Sequence, residues 1–390
     1  MMRPQNSSGR TSRASGTAVL LAIVAAMCAP AVTATAPDPA VATIIGQLGI
    51  EEHSRPAREN PRWRAPQKLV VLGRLAPAQR EALESAAPGV KVVVAPDVPS
   101  MAAEARDADI IMGLTTHPGI CEPEIVDTAK ELRWILSMSA GVERCMAIES
   151  VKRRDLLVTN MRGVESAAIA EHTIALMLAL ARRIDRFVLN AQRGRWSRED
   201  ALAARMQTLA GKTLLVVGLG GIGTEVARRA HGIGMNVVAT RGSGRTAPDF
   251  VSYVGPPSEM LTLARSADVI VNAAPLTTET TGIFNARFFE ALKPTALFIN
   301  VARGGSVVTE DLVAALTQGR IAGAGLDVVD PEPLPQDHPL WRAPNLILSP
   351  HVSTASDTPT QNRWILALEN LRRYAAGEKM LSVVDLKREY

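Results

Sequence analysis

Arg303, Glu332 and His351 follow one another at intervals of 29 and 19 residues, each within a short distinctive signature. The signatures are Asn300-Val301-Ala302-Arg303-Gly304-Gly305, then Leu326-Asp327-Val328-Val329-Asp330-Pro331-Glu332-Pro333-Leu334, then Leu348-Ser349-Pro350-His351-Val352-Ser353. An arginine is permanently charged and forks onto planar carboxylates. Imidazole is the side chain whose ordinary titration lies nearest neutral pH, so it can give or take a proton in water. Each interval is about the length of one strand–helix unit. All three residues are therefore expected past the carboxyl ends of parallel strands, where ligands bind in open α/β sheets.

A second signature precedes them. Leu214-Leu215-Val216-Val217 is an apolar run of buried-strand type, and it leads directly into Gly218-Leu219-Gly220-Gly221-Ile222-Gly223. Helix-forming residues follow from Thr224 to Ala230. A phosphate needs backbone N–H groups at close range with no Cβ in the way. Three glycines before a helix N-terminus supply both, and the helix dipole favours negative charge. The strand before the loop and the helix after it make this a dinucleotide site rather than a simple tight turn.

The elements that must carry these residues read as two βα arrays. Strands are expected at Lys68–Gly73, Val90–Ala95, Asp109–Leu114, Trp134–Met138 and Leu156–Asn160, with helices such as Pro77–Ala87 and Pro123–Leu132 between them. A long apolar helix, Ser166 to Asn190, is expected to be buried on more than one side. The second array runs through Thr213–Leu219, Asn236–Thr240, Val251–Val254, Asp268–Ala273, Ala296–Val301, Ala322–Val328 and Leu346–Ser349. A final helix, Thr358–Ala376, is expected to pack back on the first array. This rhythm predicts an α/β fold of two doubly wound parallel-sheet domains with a cleft between them. The expected division is a leader over 1–36, an extension or linker over 37–65, a flavodoxin-like substrate domain over 66–160 completed by 355–390, and a Rossmann domain over 161–354.

Composition narrows the class. A chain of 390 residues with 47% apolar content suggests two globular domains. Aromatics are only 4%, with no interleaving of basic and aromatic residues, so no nucleic-acid partner is expected. The formal charge of +4 includes Arg3, Arg10 and Arg13 of the leader, where no acid occurs, so the remainder is close to neutral. Those arginines, the apolar run Ala18–Ala29 and the small residues Ala31–Ala36 have the pattern of a secretory signal. Export to a periplasm-like compartment is expected if that signal is real, with no stable membrane association after cleavage; otherwise the protein is cytoplasmic. Cys121 and Cys145 are close enough in sequence to pair, but two separate reduced thiols are the expectation. No Cys-x-x-Cys or His-x-x-x-His spacing suggests a metal. His53, His117, His172, His231 and His338 read as surface or packing histidines, with His172 the nearest to an exception.

From about Lys68 to Tyr374 the chain resembles the D-isomer-specific 2-hydroxyacid dehydrogenases. Five motifs in order carry the resemblance: Ser139-Ala140-Gly141-Val142-Glu143, Ala170-Glu171-His172-Thr173, the glycine loop, the arginine motif and the Glu–His pair. The resemblance implies hydride transfer between a nicotinamide nucleotide and a small 2-keto or 2-hydroxy acid, as in glyoxylate/hydroxypyruvate reductases. It implies that Arg303 holds the carboxylate and keto oxygen, His351 transfers the proton, and Glu332 orients His351. It makes Asp327 an anchor for the nicotinamide amide. Ala140, Gly141 and Val142 would present the substrate turn. The implied cofactor contacts are Gly218, Gly220, Gly221, Ile222, Gly223, Arg241, Ser243, Arg245, Ala274, Pro275, Val301 and Ala302, besides Asp327. The long Ser166–Asn190 helix resembles the family's dimer-forming element, so a homodimer is expected. Closure of the first array on the second is expected about hinges near Met161 and His351–Ser356.

The cofactor's type is readable at the end of the second strand of the nucleotide array. An NAD site wants an acid there for the ribose 2′-hydroxyl. Here Val237-Val238-Ala239-Thr240 is followed by Arg241-Gly242-Ser243-Gly244-Arg245, with no carboxylate before Asp249. Arginine pairs with a 2′-phosphate, so NADP is expected over NAD. The alternatives are a non-catalytic NAD(P)-binding regulatory protein of the same fold, and another reaction such as phosphite or formate oxidation on the same scaffold.

Overall fold

The computed structural model describes residues 39–114, 118–203, 205–356 and 359–390. The expected leader, with Cys28, and also His117 lie outside the described residues. Five strands, Lys68–Leu72, Lys91–Ala95, Ile110–Gly113, Trp134–Ser137 and Leu157–Thr159, form a first sheet whose pairs are all parallel. Across it the strands lie second-first-third-fourth-fifth, the flavodoxin-like order. Seven more, Thr213–Val217, Asn236–Thr240, Tyr253–Gly255, Val269–Asn272, Leu297–Asn300, Gly323–Leu326 and Leu346–Leu348, form a second parallel sheet. Its order is third-second-first-fourth-fifth-sixth-seventh, the Rossmann order extended by one strand. Val70, Val71, Ile111, Ile135, Leu215, Val216, Ile270 and Ile299 are fully buried. A parallel strand covered by helices on both faces has no solvent side, which is why these segments read as unbroken apolar runs.

Several expected elements are corrected. The 37–65 stretch, expected as an extension or linker with little periodicity, holds regular structure: Pro39–Gln47 is a helix and Glu52–Pro56 a strand, paired antiparallel with Lys379–Leu381. Ile45, Leu48, Ile50 and Trp63 anchor it against the first sheet's core. The expected helix Pro123–Leu132 stops at Val126. There the Thr128 hydroxyl donates to the carbonyls of Glu124 and Ile125, a local bond that competes with the helix ladder. The long helix is two helices, Ser166–Arg182 and Ile184–Gln192, divided by Arg183 in the left-handed region at φ 59°. The first packs on the helix Gly221–Gly232. The second buries none of its residues and leaves Ile184, Val188 and Leu189 about half exposed.

The last helix, Pro359–Ala375, lies against the first sheet. Leu366, Ala367, Leu371 and Tyr374 share a core with Leu69, Val71, Ile110 and Trp134, and the Tyr374 and Trp134 rings are 4.9 Å apart. The fully buried Asn370 joins this helix to the strand that follows. Its Nδ2 donates to the Leu381 carbonyl at 3.0 Å and its Oδ1 accepts from the Leu381 N–H at 2.8 Å. Removing one side of a buried bond leaves the other unsatisfied. Asn370→Ala is expected to lower unfolding free energy by about 2–3 kcal/mol in urea titrations; a change within about 0.5 kcal/mol would contradict the role given to this side chain.

Candidate active site

The glycine turn stands at the switch point of the second sheet, where the strands Thr213–Val217 and Val269–Asn272 are neighbours. Its glycines do three different jobs. Gly218 has φ 95°, and a Cβ there would come within 2.6 Å of the Ala274 backbone. A Cβ on Gly223 would collide with the Gly218 carbonyl oxygen. Gly220 is different: it caps the helix Gly221–Gly232, and a Cβ there would meet nothing within 4 Å. Gly218 and Gly223 thus set the turn and the helix–strand contact, while Gly220 faces open space beside the helix N-terminus. This cradle fits a dinucleotide's pyrophosphate. Gly221 and the half-buried Ile222 open the helix, with Gly221 close against Ser166 Oγ.

Arg241 follows the strand Asn236–Thr240, and its Nε donates to Ser243 Oγ at 3.2 Å. Arg245 Nη1 donates to the carbonyls of Arg241 and Gly244 at 2.6 and 2.7 Å. Both guanidinium groups therefore belong to one short turn. The phenol oxygen of Tyr390 lies 3.8 Å from a Cβ built on Gly242. Glu389 pairs with Lys152 at 2.7 Å. Sequence reasoning passed over this terminal segment, which has no motif to mark it.

A buried amide network shapes the arginine turn. Asn272 Nδ2 donates to Asn300 Oδ1 at 3.0 Å and to Ser306 Oγ at 2.8 Å. Asn272 Oδ1 accepts from the Ala274 N–H, and Asn300 Oδ1 from the Ala302 N–H, each at 3.1 Å. The Arg303 carbonyl then accepts from Asn300 Nδ2 at 2.9 Å and Ser306 Oγ at 2.7 Å. Ala274-Pro275 and Val301-Ala302 are thus tied to the same pair of strand ends. Asn272 and Asn300 are fully buried; the sequence places both within expected strands but gives neither a role, because their partners lie on neighbouring strands.

Glu332 Oε2 meets His351 Nδ1 at 2.7 Å, while Glu332 Oε1 accepts from the Val329 N–H at 3.0 Å. A Cβ on Gly304 would collide with the Val329 carbonyl, so the arginine and glutamate turns pack backbone to backbone. His351 sits in the left-handed region at φ 52°, and its N–H donates to the Asp327 carbonyl at 2.8 Å. The Glu332 hydrogen bond raises the His351 pKa above the ordinary imidazole value, against burial and the Arg303 charge. Burial opposes ionisation of Glu332, yet its hydrogen bonds from His351 and Val329 and the charges of His351 and Arg303 carry its pKa below the usual carboxylate range. The turn that follows Arg303 packs on the turn that leads to Glu332, and Glu332 bonds His351, so the structure brings the three sequence-selected residues together.

The Asp327 carboxylate is buried. Oδ1 accepts from Ser349 Oγ at 2.7 Å and the Val352 N–H at 3.0 Å, and Oδ2 from the Ser353 N–H at 3.0 Å. Burial favours its neutral form, but these bonds outweigh burial and lower its pKa. Asp327 therefore holds the turn that presents His351. Since the Ser349 hydroxyl donates to Asp327, it accepts from His172 Nε2 at 2.8 Å. His172 is thus a support of this turn.

The Ser139–Glu143 turn, expected to meet the substrate, follows the strand Trp134–Ser137. Asn160 Nδ2 holds the Ala140 carbonyl at 2.8 Å, and Asn160 Oδ1 accepts from Ser382 Oγ at 2.7 Å. Val142 is buried. A Cβ on Gly141 would fall on Arg303 Nη2, and Glu143 Oε1 meets Arg303 Nε at 2.8 Å. The Ser139–Glu143 turn of the first lobe thus touches the arginine of the second. Cys121 and Cys145, expected as separate thiols, form a disulfide with Cα atoms 4.8 Å apart. They follow neighbouring strands, Ile110–Gly113 and Trp134–Ser137, whose carboxyl ends bring them together. A cavity of about 240 Å³ among Arg62, Trp63, Arg133 and Tyr374 includes none of the site residues. Among the described residues no cluster of His, Cys, Asp or Glu is arranged to hold a metal, and no helix is long and apolar enough to cross a membrane.

Residues 174–353 match the family model for the D-isomer specific 2-hydroxyacid dehydrogenase NAD binding domain. The glyoxylate reductase/hydroxypyruvate reductase of Mus musculus is 35% identical over 266 residues, covering 68% of this chain and 81% of that protein. A D-isomer specific 2-hydroxyacid dehydrogenase family protein from Aeromonas salmonicida subsp. salmonicida A449 has a similar structure, with a TM-score of 0.70 and 30% identity over 82% of this chain and 99% of that one. The D-isomer specific 2-hydroxyacid dehydrogenase of Xanthobacter autotrophicus Py2, solved in complex with NADPH and MES, gives a TM-score of 0.69 and 28% identity over 84% of this chain and all of that one. Sequence, fold and the gathering of arginine, glutamate and histidine beside a dinucleotide turn agree: the chain belongs to the NAD(P)-dependent D-isomer-specific 2-hydroxyacid dehydrogenases.

Proposed function

We propose that the enzyme reduces a small 2-keto acid, of the size of glyoxylate or hydroxypyruvate, with NADPH, and yields the D-isomer where the product is chiral. The observation that carries this reading is the 2.7 Å Glu332–His351 pair beside Arg303. Arg303 binds the substrate's carboxylate and polarises its keto oxygen. The N–H groups of the Ala140-Gly141-Val142 turn complete the carboxylate's site. His351 Nδ1 faces Glu332, which leaves Nε2 to deliver a proton to the keto oxygen. Glu332 keeps the ring oriented and favours its charged form. When bound, the nicotinamide nucleotide supplies the hydride that completes the alcohol. Gly220 and the N-terminus of the helix Gly221–Gly232 receive the pyrophosphate on the turn that Gly218 and Gly223 set, while the buried Asp327, expected as a cofactor anchor, spends its carboxylate on the turn that carries His351. The mouse relative's name, glyoxylate reductase/hydroxypyruvate reductase, supports the substrate class.

The choice of NADP rests on Arg241, Ser243 and Arg245, which stand where an NAD site carries an acid. The NADPH complex of the Xanthobacter relative supports it. A homodimer is proposed through the helices Ser166–Arg182 and Ile184–Gln192, because Leu178, Ile184, Val188 and Leu189 leave an apolar strip uncovered. Light scattering at the mass of one chain would remove that proposal. Export is proposed from the leader pattern, with the Cys121–Cys145 disulfide in support, since such bonds persist in oxidising compartments. Recovery of the intact Met1 terminus from a cytoplasmic fraction would exclude it.

With NADPH and glyoxylate, His351→Ala is expected to lower kcat at least about 100-fold with little change in NADPH affinity. Equal losses in both would make His351 structural. Reduction requires protonated His351, so kcat should hold at low pH and fall as pH rises through the raised pKa. Glu332→Gln should move that fall to lower pH, and an unmoved profile would separate Glu332 from the proton's control. Arg241→Asp should shift the kcat/KM ratio of NADPH over NADH toward NADH by at least about tenfold. Wild-type protein inactive on glyoxylate and hydroxypyruvate with both cofactors would sink the substrate assignment.

A further inference from the structure

Glu143 opens the helix Glu143–Ala147 on the first lobe, and its carboxylate pairs with Arg303 of the second at 2.8 Å. The contact lies in the substrate turn. A Cβ built on Gly141 would fall on Arg303 Nη2 and stand 2.7 Å from Glu143 Oε2. Both charged groups therefore lie over the Gly141 Cα. The two side chains are 30% and 35% exposed, so water screens the pair less than it would on an open surface. The turn is held from behind by Asn160 on the Ala140 carbonyl, and Arg303 is held from its own side by Nη1 donating to the Ala302 carbonyl at 2.7 Å.

We propose that Glu143 competes with the substrate's carboxylate for Arg303 and thereby sets the charge class of acid the enzyme accepts. This rests on the reading of Arg303 as the carboxylate's anchor. Arg303 Nε has one proton to donate, so a carboxylate seated on that edge of the guanidinium must displace Glu143. The displaced side chain stays tethered at the helix start, within reach of the site. A keto acid with a neutral or hydroxylated remainder bears only the cost of the exchange. A keto acid with a second negative group also meets like-charge repulsion. Glu143 thus weakens the binding of every acid and discriminates against dianions, and small monocarboxylates are the class that remains.

The test compares wild type with Glu143→Gln and Glu143→Asp, using oxamate as a non-reacting monocarboxylate probe titrated calorimetrically in the presence of NADP. Glu143→Gln should bind oxamate about five- to tenfold more tightly. It should lower KM for glyoxylate by a similar factor, the change in KM exceeding any change in kcat. It should raise kcat/KM for mesoxalate, a keto acid with two carboxylates, more than for glyoxylate. Glu143→Asp keeps the charge but shortens the reach, and should fall between wild type and Glu143→Gln in oxamate affinity. This second variant decides the matter if the first does not fold. Unchanged or weaker oxamate binding in the variants, or a loss of kcat at constant KM, would overturn the proposal and leave Glu143 as a residue that only orients Arg303. Arg303→Ala separates the two layers: oxamate binding that survives it unchanged shows that the carboxylate's anchor itself has been misassigned.

Discussion

Where parallel strands end, their last backbone groups lose their neighbours while still inside the protein, and something buried must take those bonds. Here that duty falls on a row of polar side chains at three adjacent strand ends. Asn272, Asn300 and Asp327 are at most 1% exposed. Asn272 takes the Ala274 N–H, Asn300 takes the Ala302 N–H and reaches the Arg303 carbonyl, and Asp327 takes the Val352 and Ser353 N–H groups. The directions of the cofactor turn, the arginine turn and the histidine turn all follow from these bonds. A buried polar group with its partners in place is rigid because every alternative leaves an unpaired donor or acceptor. The chemistry of the site therefore stands on side chains that do not touch the reacting atoms.

Charge in the site is organised by opposition. Arg303 pairs with the Glu143 carboxylate, and its field lowers the His351 pKa while Glu332 raises it. The balance favours the protonated ring. The same arginine helps keep Glu332 ionised although burial works against it. One guanidinium thus links both lobes and acts on both members of the Glu332–His351 pair.

Much of this was legible in the sequence because it rests on periodicity and on glycines with no freedom. Buried parallel strands announce themselves as unbroken apolar runs, and the strand Asn236–Thr240 lies where it was expected. The positive φ of Gly218 and the collision awaiting any Cβ on Gly223 are what the glycine signature encodes. Arg303, Glu332 and His351 could be picked out because each follows a strand. What stayed hidden depends on contacts between distant segments. Asn272 and Asn300 fall at the ends of two expected strands, and their bond to each other appears only when those strands are aligned in register. The break at Arg183 has no glycine or proline to mark it. The pairing of Cys121 with Cys145 follows from the adjacency of two strands, which spacing alone does not give. The strand at Glu52–Pro56 is polar and mostly exposed, and only its partner near residue 380 makes it a strand.

That last pairing has a consequence for how the molecule is made. The seven strands of the nucleotide sheet lie in one unbroken stretch, from Thr213 to Leu348. The first sheet lies earlier in the chain, but the helix Pro359–Ala375 that covers it, and the strand Lys379–Leu381 that packs on its flank, come after the whole nucleotide sheet. During vectorial synthesis, the first sheet must wait for segments that emerge only after the nucleotide sheet. The lobe that leaves the ribosome first is thus finished second, with a bare apolar face in the interval.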